Sequence, residues 1–561
     1  LLVVLDAAAG LAGPYLVKTG VDSGIATGSE GVLFAASGIF LAVTIADLFD
    51  QVASTFVTGR TAERIMLSLR LRVWAQLQRL SLDYYEREQA GRIMTRMTTD
   101  VDQFESLVTN GLLSALVALV TFVGVGVTLV LVNAELGLVT LSVVFPLALA
   151  TVWFRQRATK LYDLSRERIA VVNADFQESL SGVRESQAFV HEGATIERFH
   201  ALGSSYLESR VAAQRLVATY FPFVQFLSAV ADALVLGVGA TLISSGSLTV
   251  GALIAFLLYI DLFFSPIQQL SQVFDSWQQT RVSVNRIADL MALESLTPEP
   301  LEPVSIDEPD GAVVLEQVRF AYPSAASGDA LRGIEIDVAP GETVALVGET
   351  GAGKSTVLKL LARFYDPVTG RVTMDGHDLR TLDLHNFRSH LGYVPQEAFL
   401  FTGTVRDNIA YGRPDASDAQ VEAAARAVGA HDVVAALPGG YLTVLAERGG
   451  SLSSGQRQLI ALARAQLADP ALLLLDEATS NLDLASESRV TAAMRSVAHG
   501  RTTIVIAHRL QTARVADRIA MLEAGQVVEV GTHEELLALD GSYARMWRAF
   551  DTVGAGAGEP A

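Results

Sequence analysis

The chain has 561 residues, a formal net charge of −19, and hydrophobic side chains at 50% of its positions. This length exceeds what one hydrophobic core supports, so the sequence predicts more than one domain. The acidic balance argues against a nucleic-acid partner, and the absence of cysteine excludes disulfides, thiolate metal sites and cysteine nucleophiles.

The first half of the chain has the composition of membrane-spanning helices. A span needs about 20 apolar residues to cross a hydrocarbon core of roughly 30 Å. Because the sequence opens with LLVVLDAAAG, inside an apolar run, we expect a truncated first span and missing upstream sequence. Six spans are predicted, and the runs that indicate them are 1–17, 32–45, 107–134, 136–154 and the two halves of 216–260.

Basic residues indicate how these spans are oriented. They concentrate in residues 60–96 and 155–215, whereas the short connections 20–31, 132–135 and 244–250 have none. Basic segments remain on the cytoplasmic side, so the two long segments are predicted to be cytoplasmic. Their helical pattern predicts helices that extend well beyond the bilayer.

Three acidic residues fall at apparent membrane depth, namely Asp6, Asp232 and Asp261. Carboxylates in a bilayer are costly and usually face a cavity or a partner. Two interpretations stay open: contact with a cationic or hydrogen-bonding substrate, or a hydrogen bond between helices.

The second half has the charge density of a soluble α/β domain. The sequence predicts a transmembrane domain at 1–282, a linker at 283–312, a nucleotide-binding domain at 313–550 and a disordered tail at 551–561. The linker region is acidic and contains four prolines, which favours a semi-rigid spacer.

A glycine-rich loop follows the apolar run Thr343–Val347 and reads GETGAGKST. Its glycines allow backbone N–H groups to surround phosphates, and the helix that follows adds its positive end. Lys354 is predicted to reach the outer phosphates and Ser355 to ligate Mg²⁺. The predicted ATP-binding residues of this loop are Gly348, Glu349, Thr350, Gly351, Ala352, Gly353, Lys354, Ser355 and Thr356.

A second phosphate-related motif is the apolar run 472–475 ending in two acids. Asp476 is predicted to hold Mg²⁺ through water, and Glu477 to polarise the attacking water as general base. Together with the glycine-rich loop, this pair predicts ATP hydrolysis.

With these motifs the chain resembles an ABC exporter half-transporter, and in particular a subunit of a bacterial heterodimeric exporter. The resemblance implies a multidomain fold: an all-α, six-span transmembrane domain with long intracellular helices, followed by an α/β P-loop ATPase domain of the ABC type. Residues 81–106 resemble the first intracellular loop, with a coupling helix at 98–104, and 173–192 the second, with a coupling segment at 173–183.

Further site residues are implied by this resemblance alone. Tyr322 matches the aromatic that stacks on adenine, Gln396 the glutamine that senses the γ-phosphate and Mg²⁺, and His508 the switch histidine. Asp483 closes a loop that crosses to the partner domain. The run LSSGQ resembles the signature that completes the other subunit's site, through Ser453, Ser454, Gly455 and Gln456.

The signature departs from the family's usual LSGGQ at Ser454, whose extra Cβ is expected to weaken the site it completes. In heterodimeric members a subunit like this one pairs with a half whose catalytic acid is altered. A heterodimer, or one half of a fused chain, is therefore favoured over a homodimer.

The expected activity is ATP-driven export of amphipathic small molecules or drugs across the cell membrane by alternating access. The partners implied are the bilayer, a second half-transporter and the transported compound. A lipid or glycolipid flippase and an importer using the exporter fold remain alternatives.

Overall fold

The computed structural model describes residues 2–323, 328–476, 483–507 and 510–556. These residues form two compact units. The first comprises Leu1–Ala75 and Met94–Met291, and the second comprises Gln76–Ile93 and Ala292–Ala561.

All regular elements before residue 293 are helical. Two of them, Gly20–Ile25 and Leu107–Leu112, are short π-helical segments. The α-helices are α1 (Leu2–Thr19), α2 (Glu30–Arg79), α3 (Leu82–Arg87), α4 (Ala90–Met97), α5 (Thr99–Ser106), α6 (Leu113–Val132), α7 (Ala134–Ser142), α8 (Val144–Ser181), α9 (Val183–Ala188), α10 (Glu192–Ser244) and α11 (Val250–Ala292).

Six helical stretches within the described residues are long and apolar enough to cross a membrane, in agreement with the predicted number. At 1.5 Å per residue, the 50 residues of α2 and the 53 of α10 extend over roughly 75–80 Å. Both therefore exceed a hydrocarbon core of roughly 30 Å, as the sequence predicted for its long basic segments. The six stretches are Leu2–Ile25, Glu30–Arg79, Ala90–Val132, Ala134–Ser181, Glu192–Ser244 and Val250–Ile267.

The first and last spans are joined at two levels within the first unit. The Tyr259 hydroxyl on α11 donates to the Leu11 carbonyl on α1 at 2.6 Å. Nearer the helix ends, the Asp22 carboxylate accepts from the Gly251 N–H at 2.8 Å and from the Thr249 hydroxyl at 2.5 Å. Asp22 thereby satisfies backbone and side-chain donors at the beginning of α11, where a helix lacks its own acceptors.

The three acidic residues at apparent membrane depth lie on separate helices: Asp6 on α1, Asp232 on α10 and Asp261 on α11. Asp6 and Asp232 are partly buried, and Asp261 is exposed within the unit. Their roles stay predictions.

Among its described residues, the second unit contains two main sheets and one short antiparallel pair of strands. The first sheet is antiparallel with the order β2-β1-β4-β5, and the second has the order β12-β11-β3-β10-β9-β6. The strands are β1 (Val313–Phe320), β2 (Leu331–Val338), β3 (Thr343–Gly348), β4 (Thr369–Met374), β5 (His377–Asp378), β6 (Leu391–Val394), β7 (Gly403–Thr404), β8 (Val444–Leu445), β9 (Leu472–Asp476), β10 (Thr502–Ile506), β11 (Arg518–Glu523) and β12 (Gln526–Gly531).

Helices cover this unit and follow most of the parallel strands. They are α12 (Lys354–Leu361), α13 (Leu384–Ser389), α14 (Val405–Ile409), α15 (Asp418–Ala427), α16 (His431–Ala435), α17 (Ser454–Ala468), α18 (Leu484–Ala498), α19 (Leu510–Ala513), α20 (His533–Ala538) and α21 (Ser542–Gly556).

The six-stranded sheet is buried on both faces. On β3, Val344 and Leu346 belong to one hydrophobic cluster, whereas Ala345 and Val347 belong to another. Side chains alternate between the faces of a strand, so a strand covered on both sides must be apolar throughout. This explains the uninterrupted apolar runs that the sequence shows at 343–347 and 472–475.

Two boundaries differ from the predicted domains. Helix α11 continues to Ala292, so the first ten residues assigned to the linker, 283–292, are helical. Helix α21 includes residues 551–556, which the sequence had assigned to a disordered tail, and 557–561 lie outside the described residues.

A short piece of the first intracellular loop belongs to the second unit. Helix α3 lies in the segment Gln76–Ile93, and Leu82 packs against the hydrophobic cluster under the first sheet. Ser81 accepts a hydrogen bond from the Leu296 N–H at 3.3 Å. The coupling helix predicted at 98–104 corresponds to α5, which lies in the first unit, and its coupling role stays a prediction.

Candidate functional site

The glycine-rich loop connects β3 to α12, and two of its glycines are required by close approach. Gly348 has φ +150°, and a Cβ there would lie 2.2 Å from the Leu522 carbonyl oxygen. Gly353 has φ +103°, and its Cβ would lie 2.6 Å from the Leu331 side chain. Larger residues would move the loop, so the predicted cradle depends on glycine at both positions.

Lys354 is buried at the beginning of α12. Its ammonium donates to the carbonyl oxygens of Gly348 at 2.8 Å and Glu349 at 2.9 Å. These bonds hold a positive charge over the loop while the N-terminus of the helix faces the same space. Ser355 is exposed next to it, and Thr356 is buried with its hydroxyl 3.0 Å from the Tyr322 hydroxyl.

Sheet topology brings the second motif beside the loop. Strand β10 pairs in parallel with both β3 and β9, and Ile506 is opposite Leu346 on one side and Asp476 on the other. The carboxyl ends of these strands meet at one edge of the sheet, where ligands bind in open α/β folds. Asp476 therefore lies at the same edge as the glycine-rich loop.

The pKa of Asp476 reflects this position. Burial raises the pKa of Asp476, and the positive charges of Lys359 and Lys354 oppose that rise. Glu477 and His508, the predicted general base and switch histidine, lie outside the described residues.

Gln396 follows β6, the strand next to β9 in the sheet. Val394 on β6 is opposite Leu475 on β9, so Gln396 leaves the sheet at the edge where Asp476 lies. Its side chain is exposed. The topology thus brings Gln396, Asp476 and the glycine-rich loop to one edge of the sheet.

Tyr322 lies just after β1 and is held by aromatic neighbours. Its ring is edge-on to Phe320, with centroids 4.9 Å apart, and to Tyr365, with centroids 5.4 Å apart. With its hydroxyl bonded to Thr356, the ring is fixed beside α12. This suits a platform for a flat base.

Sequence reasoning missed a charged group next to this platform. The Lys359 ammonium on α12 lies over the Tyr322 ring, 5.2 Å from its centroid, and bonds to Glu86 at 2.7 Å. The second Glu86 oxygen accepts from the Tyr365 hydroxyl at 2.7 Å. Burial disfavours the ammonium, but Glu86 and Tyr322 outweigh it and raise the pKa of Lys359. The chain has only four lysines, and two of them lie on α12, which was the available signal.

The signature run lies at the beginning of helix α17. Ser453 caps α17: its hydroxyl accepts from the Gln456 N–H at 3.3 Å, and the Gln456 side chain accepts from the Ser453 N–H at 2.9 Å. This capping box leaves Ser454 exposed at the first helical position, and Gly455 buried. The N-terminus of a helix with fifteen residues can bind an anion supplied from outside the unit.

Asp483 caps the helix that follows the second motif. Its carboxylate accepts from the Ser486 N–H at 3.1 Å, at the beginning of α18. The side chain is exposed, and the preceding residues 477–482 lie outside the described residues.

The donor set suits Mg²⁺ in the presence of a nucleotide. Among the described residues, no three His, Cys, Asp or Glu side chains form a cluster that could hold a metal by themselves. Mg²⁺ rarely uses such cages: it keeps waters and binds one or two protein oxygens together with substrate phosphates. Ser355 and Asp476 offer a hydroxyl and a carboxylate of this kind, and Gln396 offers an amide oxygen.

Comparisons with known proteins agree with this arrangement. Residues 1–267 match the ABC transporter transmembrane region, and residues 331–480 match the ABC transporter family. The chain is 43% identical over 549 residues to a multidrug efflux ATP-binding/permease protein of Mycobacterium tuberculosis strain H37Rv, covering 98% of this chain and 46% of that protein. The chain thus spans about half the length of that relative.

Two further relatives are similar over most of their own length. A fatty acid ABC transporter ATP-binding/permease protein of M. tuberculosis strain CDC 1551 is 36% identical, over 93% of this chain and 82% of that protein. A solved structure of a bacterial Atm1-family ABC exporter with ATP bound has a TM-score of 0.78 and 30% identity, covering 100% of this chain and 98% of that one.

These matches, together with six candidate spans, indicate a multi-pass membrane protein with a cytoplasmic nucleotide-binding domain. The chain therefore belongs to the ABC transporter family, as a transmembrane region joined to an ABC ATP-binding domain.

Proposed function

We propose that this chain is one half of an ATP-driven exporter of amphipathic small molecules. The observation that carries the proposal is the convergence of the glycine-rich loop, Asp476 and Gln396 at one sheet edge, in a chain that also has six candidate spans. The name of the multidrug efflux relative favours drugs or drug-like compounds as cargo.

In the proposed site the chain's own residues position ATP and stabilise its negative charge. Tyr322 stacks on the adenine, and the loop N–H groups and Lys354 hold the phosphates. Gln396 and His508 contact the γ-phosphate, and Glu477 accepts a proton from the attacking water. When bound, Mg²⁺ neutralises phosphate charge; Ser355, Asp476 and Gln396 would hold it.

A second half is needed to complete each site. Ser453, Ser454, Gly455 and Gln456 begin α17 and would bind the γ-phosphate of an ATP held by the partner, while Asp483 faces the same interface. We propose a heterodimer or a fused second half, because the relative with 43% identity is about twice as long as the region it shares with this chain. ATP at both interfaces then closes the dimer, and hydrolysis reopens it.

A closing step of this kind is within reach of nucleotide binding. Moving a two-state gate from 1:99 to 99:1 requires about 5.5 kcal/mol of differential affinity. Two sandwiched nucleotides can supply that amount between them. The segments at 98–104 and 173–183 are proposed to transmit closure to the spans.

The catalytic assignment is tested with Glu477→Gln in the assembled, detergent-purified transporter. Removing the general base should lower ATP turnover by about 10²–10⁴-fold and leave ATP binding intact. Trapped ATP is measured with radiolabelled nucleotide after rapid gel filtration. Normal turnover by this variant would refute the role of Glu477.

A lipid-like cargo is the second candidate. The membrane unit has a groove of about 600 Å³ with an apolar lining, to which Phe122, Val144 and Phe263 belong. Such a surface suits an acyl chain, and one relative is named a fatty acid transporter. Movement of a fluorescent fatty acid or phospholipid in proteoliposomes, set against that of a cationic dye, separates the two candidates.

A further inference from the structure

We infer that Lys359 is a positioning residue for the nucleotide base, which acts from beneath the Tyr322 ring and is held there by Glu86. This inference rests on the proposed ATP site, and it goes beyond that site because Lys359 and Glu86 belong to neither of its phosphate-binding motifs.

The geometry places the Lys359 ammonium beside the Tyr322 platform. Its ammonium lies 5.2 Å from the centre of the Tyr322 ring and 6.0 Å from that of Tyr365. A cation at this distance is attracted by the electron-rich face of an aromatic ring. Lys354, by contrast, bonds to the loop carbonyls and faces the phosphate cradle.

Glu86 gives the ammonium a fixed place. One carboxylate oxygen accepts from Lys359 and the other from the Tyr365 hydroxyl, each at 2.7 Å. The side chain of Lys359 is only 26% exposed, so a flexible lysine is converted into an ordered charge. Tyr365 is itself 3% exposed, which anchors the carboxylate to the core of the second unit.

Four contacts among the described residues restrain Tyr322. Phe320 and Tyr365 contact it edge-on, Thr356 bonds its hydroxyl, and Lys359 lies over one face of the ring. We expect a base to stack on the face opposite Lys359. A cation withdraws electron density toward itself, which lowers the repulsion between the ring and a stacked purine.

The inference predicts a defect that is specific to the base. Lys359→Met keeps the length of the side chain and removes its charge. We expect the affinity for a non-hydrolysable ATP analogue to fall roughly 10-fold, as expected for one weakened stacking contact. Affinity for inorganic tripolyphosphate, which has no base, should stay unchanged.

The measurement is displacement of a fluorescent nucleotide from the assembled full-chain transporter, with Mg²⁺, by each of the two ligands. In steady state, the same variant should raise KM for ATP and leave kcat at saturation unchanged. Lys359→Arg should restore most of the affinity because it keeps the positive charge. Glu86→Gln should give a smaller loss in the same direction.

Arg371→Met is the matched control. It removes a charged side chain from an exposed ion pair with Glu316 on the antiparallel sheet, away from Tyr322, and should change neither ligand's affinity. Lys359→Met behaving like this control would overturn the inference. An equal loss of affinity for the ATP analogue and for tripolyphosphate would also overturn it, because that result would indicate a general structural role.

Tyr322→Ala separates this inference from the proposed site. It should lower the affinity for the ATP analogue roughly 10–100-fold and spare tripolyphosphate. If Tyr322→Ala has no such effect, the proposed adenine platform is wrong, and the role of Lys359 falls with it. If Tyr322→Ala has the effect and Lys359→Met does not, only the role of Lys359 is refuted.

Discussion

At the scale of residues, Gly348 and Gly353 in the glycine-rich loop each have a local geometric reason to be glycine. A positive φ and a neighbouring atom in close contact leave room only for glycine. The spacing of glycines in the sequence therefore indicates the loop. At Gly348 the reason is a carbonyl oxygen, which cannot rotate away from an added methyl group as a side chain can.

Gly348→Ala should therefore abolish nucleotide binding. The added Cβ would overlap the Leu522 carbonyl, and relieving the overlap costs roughly 1–3 kcal/mol and moves the loop. The rise in melting temperature that ATP produces should disappear. Gly351→Ala is the control: φ is also positive there, at +87°, but its Cβ meets nothing within 4 Å. Equal effects of the two substitutions would show that the overlap is unimportant.

The pair Glu86–Lys359 was not predictable, since its partners are 273 residues apart. A salt bridge between distant segments has no periodicity or spacing in the sequence, and both residues read as ordinary solvent-exposed charges. The two residues come together because α3 packs beside α12 within the second unit. The same holds for the bond between Tyr322 and Thr356, which depends on how β1 lies beside α12.

At the scale of elements, the type of each helix or strand was easier to predict than the residue at which it ends. Uncharged runs indicated the spans, and apolar runs followed by glycine or acid indicated the strands of the central sheet. The end of α11 was misplaced because residues 283–292 have an ordinary mixed composition, which suits a helix and a linker equally. The segment that follows is held by side chains far along the chain.

Arg363 provides that hold. This arginine is 1% exposed beyond the end of α12, and it donates to the Pro298 carbonyl at 2.8 Å and the Leu382 carbonyl at 3.4 Å. It also pairs with Asp366 at 3.3 Å. One side chain thus joins the linker, the end of α12 and the turn after β5.

Arg363→Met should destabilise the nucleotide-binding domain by about 3–5 kcal/mol, because it leaves a partly buried carboxylate and several carbonyls without their donor. The urea midpoint for loss of nucleotide-analogue binding measures this without interference from the membrane unit. The exposed pair Arg371–Glu316 should contribute less than about 1 kcal/mol, so Arg371→Met is a suitable comparison. Similar midpoints for the two variants would contradict a structural role for Arg363.

At the scale of the whole molecule, one chain holds one set of phosphate-binding residues and one signature helix. In the proposed mechanism these serve different nucleotides, so a single half has no complete site. The sequence could predict this division from its motifs, but it could not identify the partner, because the residues of an interface follow no pattern within one chain.

Turnover should therefore depend on a second half. Expressed alone, the chain should bind ATP and hydrolyse it slowly, and co-expression with a half that has an altered catalytic acid should raise turnover and make it respond to cargo. ATP turnover at a series of protein concentrations, with mass determination in detergent, is the measurement. Substrate-stimulated turnover by the chain alone would favour a homodimer instead.

The two attachments between the first and last spans restrict how the membrane unit can move. A single bond would act as a pivot, about which one helix could swing. Tyr259 and Gly251 lie eight positions apart on α11, roughly 12 Å along its axis, and a pair of fastenings at that separation resists swinging and sliding alike. The first and last spans in chain order are thus expected to move as one rigid body. Any conformational change that separates them must break both attachments.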